Sequence, residues 1–190
     1  MELLLSLCIG IGLSAACGFR VFVPLLIMSI AAKTGHLTLV PAFQWIGSDI
    51  ALWTFAIATV LEIGTYYIPL VHHALDVIAT PVAIIAGIMV TASIIGGMDP
   101  FLKWTLAVIA GGGAAGLIHG ATTVTRGVST ATTGGVGNPI FATIELGSSF
   151  LTSVLAVMAP VAAIVILALI LLLAAKKLLP KFRKRKGAVQ

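Results

Sequence analysis

Long apolar stretches, separated by short polar interruptions, run along almost the whole chain. A helix that spans a bilayer needs about 20 mainly apolar residues, at 1.5 Å of rise per residue. Stretches close to or above this length recur from the first residues onward, so the pattern predicts an all-α, polytopic transmembrane helical bundle. We expect about six spans, at residues 3–32, 51–69, 81–97, 104–121, 139–158 and 160–178.

The first apolar stretch is too long for one straight helix. Gly18, Arg20 and Pro24 interrupt it, so residues 3–32 form either one broken span or two half-helices. The milder stretch 34–50 is predicted to be an interfacial loop that places a tryptophan at the level of the lipid headgroups.

Proline and capping residues indicate where three of the helices begin. Thr80 and Pro81 are predicted to open the third span, and Asn138 with Pro139 the fifth, as an N-cap followed by proline at the first helical position. Pro160 is predicted to open the sixth span. Residues 1–178 are therefore expected to form a single transmembrane domain.

The stretch from Thr122 to Asn138 differs from the rest of the chain. Eleven of its seventeen residues are Gly, Ser or Thr, and it carries Arg126. This composition is too glycine-rich for a stable helix and too polar to face lipid, and non-helical backbone survives at membrane depth only where protein or a water-filled cavity surrounds it. The stretch is predicted to be either an external loop or a re-entrant segment that lines a pathway.

Composition supports the membrane assignment and excludes a soluble globular enzyme. Hydrophobic residues make up 59% of the chain and charged residues 9%, whereas soluble domains carry roughly 45–50% and about 25%. Nucleophile-elbow, zinc-protease, P-loop and dinucleotide-binding motifs are all missing from the sequence. We therefore expect a protein that is not an enzyme and that uses no cofactor.

The positive charge is concentrated at one end of the chain. Seven of the eleven Lys and Arg residues lie within residues 176–190. A basic cluster directly after an apolar span marks the cytoplasmic side of a membrane, so residues 179–190 are predicted to form a basic cytoplasmic tail. This tail is expected to contact anionic lipids rather than nucleic acid. Six spans would place the start of the chain in the cytoplasm as well.

A short motif occurs twice and suggests an internal repeat. Glu62 and Glu145 are each followed two residues later by glycine, then by a hydroxyl residue and an aromatic one. Each copy follows an arginine in a broken segment and precedes a span that begins with proline. The repeats would cover residues 1–97 and 104–178. Three spans per copy would invert the second copy, as in many secondary transporters with broken helices.

Four charges fall in or beside apolar segments and need partners, because a charge at the bilayer centre is costly. Arg20, Glu62, Arg126 and Glu145 can neutralise one another as two buried ion pairs. The same arginines can instead help to bind an anionic or polar solute. The candidate binding or pathway residues are Arg20, Glu62, Arg126, Thr133, Asn138 and Glu145.

Other polar residues carry less specific signals. His72, His73 and Asp76 form a candidate metal or proton-handling cluster, although two or three ligands without a further partner fall short of a metal site. Gly112, Gly116 and Gly120 recur every four residues, a pattern that allows close helix packing within the chain or between protomers. His119 beside them is expected to be a hydrogen-bonded core residue.

Several motifs together resemble a known family. They are Gly18-Phe19-Arg20-Val21-Phe22-Val23-Pro24, Gly35-His36-Leu37, Glu62 with Tyr66-Tyr67-Ile68-Pro69, Leu75-Asp76 with Ala79-Thr80-Pro81, Gly111-Gly112-Gly113, and Thr133-Gly134-Gly135-Val136-Gly137-Asn138-Pro139. The sequence resembles, over residues 8–165, an uncharacterised family of small bacterial integral membrane proteins catalogued as a domain of unknown function. The resemblance implies a multi-pass protein of the bacterial inner membrane and no established activity. His72 stands where the family pattern is acidic, which counts against a metal or acid role for that cluster.

The sequence thus favours a small transporter or channel-like protein for a small polar or anionic solute, expected to be a homo-oligomer. The alternatives are a structural or accessory membrane protein whose buried charges only hold it together, and a membrane-embedded enzyme acting on lipid.

Overall fold

A computed structural model gives the fold, and it describes residues 1–66, 69–134, 136–170 and 172, with side chains left undescribed at residues 66 and 69–77. The described part of the chain is helical and contains no strand. Its elements are α1 (Glu2–Phe19), α2 (Phe22–Lys33), a 3-10 helix (Pro41–Gly47), α3 (Asp49–Tyr66), α4 (Pro69–Ile94), α5 (Pro100–Leu106), a π-helical segment (Ala107–Gly112), α6 (Gly113–Thr133), α7 (Asn138–Met158) and α8 (Pro160–Ile170).

The first apolar stretch forms a helical hairpin. α1 ends at Arg20, whose backbone is extended (φ −145°, ψ 132°), and α2 then runs back in the opposite direction. The reversal follows from contacts with α4: a Cβ at Gly10 would lie 3.3 Å from Thr91 Cα, and Met28 on α2 lies 3.7 Å from Ser93, one half-turn further along α4. The expected interruption near Arg20 is therefore confirmed, as two helices rather than one bent span.

α3 and α4 run antiparallel beside the hairpin. Lys33 at the end of α2 pairs with Asp49 at the start of α3, while the backbone N–H groups at the start of α2 contact Glu62. Glu62 comes thirteen residues after Asp49, which puts it about 20 Å along the helix axis. The Arg20 turn thus lies deep in the bundle, far from the end that carries Lys33 and Asp49, here called the Lys33–Asp49 end.

The second half of the chain packs along α1. α5, the π-helical segment and α6 form one long helical run, Pro100–Thr133, and Asp99 caps its start by accepting a 2.9 Å hydrogen bond from Phe101 N. α7 then returns, and a Cβ at Gly12 would contact both Ala156 (2.8 Å) and Ala163 (3.9 Å). Seven residues of straight helix would separate those alanines by about 10 Å, so the chain bends sharply at Ala159–Pro160.

Within the part of the chain that the structure describes, three helices are long and apolar enough to cross a membrane: Glu2–Phe19, Pro100–Thr133 and Asn138–Met158. The 3-10 helix and α3, bent by 62°, make a fourth if taken as one span. Shorter apolar helices cover Phe22–Lys33, Ile78–Ile94 and Pro160–Ile170. The helical fold is confirmed, whereas six spans are not.

Two local predictions were wrong. Residues 122–133 continue α6 as helix, and only the turn before α7 is irregular. Four of the six threonines in residues 122–133 donate their hydroxyls to carbonyls three or four residues earlier, as Thr125 does to Ala121 O at 2.8 Å, which satisfies these hydroxyls within the helix. Pro81 does not open a span but lies inside α4, which begins at Pro69.

The glycine stripe packs within the chain for two of its three members. A Cβ at Gly112 would lie 2.9 Å from Ile88, and one at Gly116 3.3 Å from Ile84, so α4 fills this face. Nothing described lies within 4 Å of such a Cβ at Gly120. The prediction of small-residue helix packing is confirmed for the α4–α6 contact.

Candidate functional site: the Arg20 turn and its buried charges

The turn between α1 and α2 leaves backbone groups that other helices satisfy. Helix ends expose carbonyls and N–H groups without intrahelical partners. At the end of α1, Ser149 Oγ of α7 donates to Ala16 O at 3.0 Å, and His119 Nδ1 of α6 lies 3.2 Å from Gly18 O. His119 is thus the hydrogen-bonded core residue that the sequence predicted.

The start of α2 is held by a carboxylate from a neighbouring helix. Glu62 of α3 accepts hydrogen bonds from Val21 N at 2.8 Å and Phe22 N at 3.1 Å. A negative group at a helix N-terminus satisfies free N–H donors and complements the helix dipole. Glu62 therefore caps the N-terminus of α2 from a neighbouring helix, although it lies about forty residues away along the chain.

The side chain of Arg20 points from this turn toward α7. Its Nη2 donates to Ala142 O at 3.0 Å and lies 3.6 Å from Glu145 Oε2. Arg126 of α6 approaches the same carboxylate, with Nε 3.2 Å from Oε1. The exposed fractions are 2% for both arginines and 5% for Glu145. We call these three residues the arginine cluster.

The arginine cluster differs in one respect from the predicted arrangement. Two separate Arg–Glu pairs were expected, whereas the described contacts place both guanidinium groups on Glu145 and give the Glu62 carboxylate to backbone N–H groups. Arginine stays charged and presents planar donors suited to carboxylate and phosphate. In the described contacts, the oxyanion that both guanidinium groups approach is the carboxylate of Glu145.

Two predicted pathway residues lie apart from the arginine cluster. Asn138 Nδ2 donates to Thr130 Oγ1 at 3.0 Å, and Thr133 Oγ1 donates to Ser129 O while accepting from Gly137 N. These bonds fasten the turn from α6 to α7. Gly137 is the N-cap of α7, so Asn138 is its first helical residue rather than its cap.

The candidate metal cluster cannot be placed. The side chains of His72, His73 and Asp76 lie outside the described residues. Among the residues whose side chains are described, no three His, Cys, Asp or Glu residues come together in a way that would hold a metal ion.

The sequence profile of the family described as Domain of unknown function (DUF4126) matches residues 7–179. The chain belongs to the DUF4126 family. This match confirms the resemblance to an uncharacterised family, and it includes both the Arg20 turn and the turn before α7. No curated protein and no solved structure matches the DUF4126 chain.

Sequence reasoning missed the serines that build the interior of this DUF4126 protein. Ser149 and Ser14 are fully buried, and Ser14 Oγ donates to Gly87 O at 2.6 Å while lying 2.8 Å from Thr91 Oγ1. The signal in the sequence was small polar residues at helical spacing within apolar spans, because hydroxyl groups bond across helices in membranes. Nothing in the sequence indicates which carbonyl each one reaches.

A second feature of the DUF4126 fold lies on the other side of the Arg20 turn. Two adjoining cavities of about 270 and 420 Å³ separate α3 from α4. Val21, Phe22 and Val82 line both, and Glu62 lines the larger one. We call the two cavities together the α3–α4 groove.

Proposed function

We propose that this DUF4126 protein is a small transporter or channel-like protein, and that the arginine cluster is its site for a small polar or anionic solute. The observation that carries the proposal is the convergence of Arg20 and Arg126 on the single carboxylate of Glu145 inside the bundle. Ionisable residues within membrane spans commonly mark solute or ion pathways.

The geometry supports an exchange of anions at this position. Glu145 is the protein's own oxyanion partner for the two guanidinium groups, and a carboxylate or phosphate-like solute offers the same bidentate acceptor geometry. In the proposed mechanism the solute replaces Glu145 beside Arg126, and Glu145 returns when the solute leaves. The Arg20 turn fits this role, because helical breaks let side chains from several helices converge on one point.

The second candidate function is structural, and the burial of the cluster favours it. Arg20 also donates to the Ala142 carbonyl, which is the contact expected of a charge that locks α1 onto α7. A purely structural cluster would hold the helices together and carry nothing. The two functions differ in what happens when the charges are removed together.

The deciding experiment measures flux in proteoliposomes, with chloride and inorganic phosphate as the probes. The wild-type protein should release at least one of them faster than empty liposomes do. Arg126→Met should abolish that flux, and the double variant Arg126→Met/Glu145→Leu should stay inactive even where its folded yield recovers. Lys103→Met, which removes a cation at the Lys33–Asp49 end, is the matched control and should transport normally.

Wild-type vesicles that release neither probe above background would count against the proposed transport. Full flux in a folded double variant would show that the cluster does not bind solute. Either result would leave the structural role.

Access to the cluster is tested by cysteine labelling along α6. In a protein with Cys8 and Cys17 replaced by alanine, Ser129→Cys should react with a small membrane-impermeant thiol reagent if water reaches this level of the bundle. Ser129 is buried and lies one turn beyond Arg126, whereas Thr132 is exposed. Thr132→Cys is the control, and the pathway requires slower but measurable labelling at Ser129. Complete protection of Ser129→Cys would contradict a water-accessible route.

We also propose that the protein lies in the bacterial inner membrane with its basic C-terminal tail in the cytoplasm, bound to anionic lipid. The α1–α2 hairpin changes the expected position of Met1, because a hairpin returns the chain to the face from which it started. If α8 continues across the membrane, Met1 lies on the face opposite the tail, outside the cytoplasm. Reporter domains fused at both ends should then report opposite sides, and two cytoplasmic reporters would contradict either the hairpin or the crossing of α8.

A homo-oligomer remains part of the proposal. At Gly64 and Gly147, the glycines of the repeated Glu-x-Gly motif, no described atom lies within 4 Å of where a Cβ would be, which would let a second copy approach closely at either. Light scattering of the purified protein in detergent measures the mass of the protein directly, and a monomeric mass would contradict the proposed homo-oligomer.

A further inference from the structure

The α3–α4 groove combines apolar walls with one charge. Phe22, Phe43, Trp45 and Phe55 supply four aromatic side chains to the smaller cavity, and the walls of both cavities are almost entirely apolar. Among the described residues that line either cavity, Glu62 is the one that carries a charge. Ligand pockets of roughly 300–1,000 Å³ with apolar walls and a few placed polar groups are typical small-molecule sites.

The carboxylate of Glu62 keeps acceptor capacity after capping α2. Each oxygen accepts one backbone N–H, at 2.8 and 3.1 Å, while an ionised carboxylate offers about four lone-pair sites. The Nη2 of Arg20 is directed to Ala142 O and Glu145 on the far side of the turn. A negative group therefore borders the groove without an arginine inside it.

The groove opens toward the outer surface of the bundle. Leu61 on α3 and Ile78 and Ile85 on α4 are among its lining residues and are all exposed. In a bilayer these flanks face lipid, so a molecule that partitions into the membrane can enter sideways. A small hydrophilic ion would have to leave water and cross apolar surface to reach the same place, which is costly.

We propose that the α3–α4 groove binds a lipophilic organic cation that enters from the bilayer, with its positive centre at Glu62 and its apolar groups against the aromatic walls. Charge complementarity selects the cation, because the described lining of the groove carries the Glu62 carboxylate and no basic side chain. Aromatic faces favour a cation further when both are removed from water. This site is independent of the arginine cluster and of its proposed transport role.

Binding of radiolabelled tetraphenylphosphonium to the purified full chain in detergent tests the inference. The wild-type protein should bind it saturably, and unlabelled tetraphenylborate, which has the same shape and the opposite charge, should compete at least tenfold less well. Glu62→Gln should weaken binding at least tenfold, because it removes the charge and keeps one acceptor oxygen. Asp49→Asn, an exposed carboxylate outside the groove, is the matched control and should bind as wild type does.

A second variant keeps the test valid if Glu62→Gln folds poorly. Val82→Trp fills the space that both cavities share without touching a charge, and it should abolish saturable binding. Val108→Trp, at an exposed position of the π-helical segment, should leave binding unchanged. Equal competition by the phosphonium and the borate would overturn the proposal and indicate a groove that takes any apolar chain. Undiminished binding in folded Val82→Trp would overturn it as well.

Discussion

Glu62 and Glu145 occupy the same place in a repeated sequence motif, yet the two regions do opposite things. Glu145 lies in a packed interior, where Arg20 and Arg126 approach its carboxylate and almost no surface remains exposed. Glu62 caps a helix with both oxygens and borders an open apolar groove. Charged side chains thus surround the carboxylate of Glu145, whereas the carboxylate of Glu62 contacts backbone N–H groups on one side and borders a cavity on the other.

The repeated motif determines which chemical group is present at a position, whereas the residues around that group determine its role. Both glutamates lie near the Arg20 turn, and the turn separates their functions. The guanidinium group leaves it toward α7, whereas the free N–H groups of α2 point toward α3. Loss of Glu145 should therefore leave two buried charges without their carboxylate, whereas loss of Glu62 should leave only two backbone N–H groups without an acceptor.

The largest expected effect comes from the enclosed side. Glu145→Leu leaves two buried guanidinium groups without their shared carboxylate, and breaking a buried ion pair costs about 3–5 kcal/mol. The free energy of unfolding in detergent should fall by that amount. The triple variant Arg20→Met/Arg126→Met/Glu145→Leu removes every charge and should recover most of the loss. A triple variant as unstable as Glu145→Leu would contradict the assignment.

Glu62→Gln should destabilise the protein less. Gln retains one acceptor for Val21 N or Phe22 N, and a hydrogen bond to a charged group contributes about 1.5–3 kcal/mol. Asp49→Asn, which breaks an exposed pair with Lys33, should change stability by about 1 kcal/mol or less. The comparison fails if Glu62→Gln proves as damaging as Glu145→Leu, since the two regions would then be equivalent.

Packing density beside the two glutamates offers a third contrast. A Cβ at Gly18 would lie 2.6 Å from Ala115 O and from Ile118 Cβ, whereas none of the described atoms lies within 4 Å of one at Gly64. Overpacking a close contact costs about 1–3 kcal/mol, so Gly18→Ala should lower the thermal midpoint clearly. Gly64→Ala should leave it unchanged or slightly raised. A loss at Gly64 would instead reveal a partner helix on that face.

The smallest effect tests the helix that carries Arg126. Gly127 lies within α6, and a Cβ there would meet open space. Alanine in a helix interior is favoured over glycine by about 0.5–1 kcal/mol, so Gly127→Ala should raise the free energy of unfolding by that amount. Destabilisation by Gly127→Ala would contradict a helix with an open face at this position.

Sequence reasoning succeeded where composition and local chemistry decide the outcome. The break at Arg20 and the start of α7 at Asn138–Pro139 depend on nearby glycine, proline and short polar residues, whose effects reach only a turn or two. It failed for residues 122–133 because the glycine and threonine content argued against helix, whereas carbonyls of the preceding turn accept the threonine hydroxyls and Arg126 on this helix contacts Glu145 of α7. The prediction that Pro81 opens a span was wrong because proline, which is common at the start of helices, is here accommodated inside α4.

A helical membrane protein with buried charges that need partners follows from the amino-acid pattern alone, because the length of the apolar stretches and the cost of an unpaired charge leave few alternatives. The same pattern also pointed to Arg20, Glu62, Arg126 and Glu145 as the residues to explain. The packing of the helices explains why both arginines approach Glu145 and why Glu62 accepts hydrogen bonds from the backbone N–H groups of α2. The reason is physical: pairing depends on which helices lie side by side and which way each one runs. The α1–α2 hairpin sets both, and it is held by contacts between residues more than a hundred positions apart in the chain.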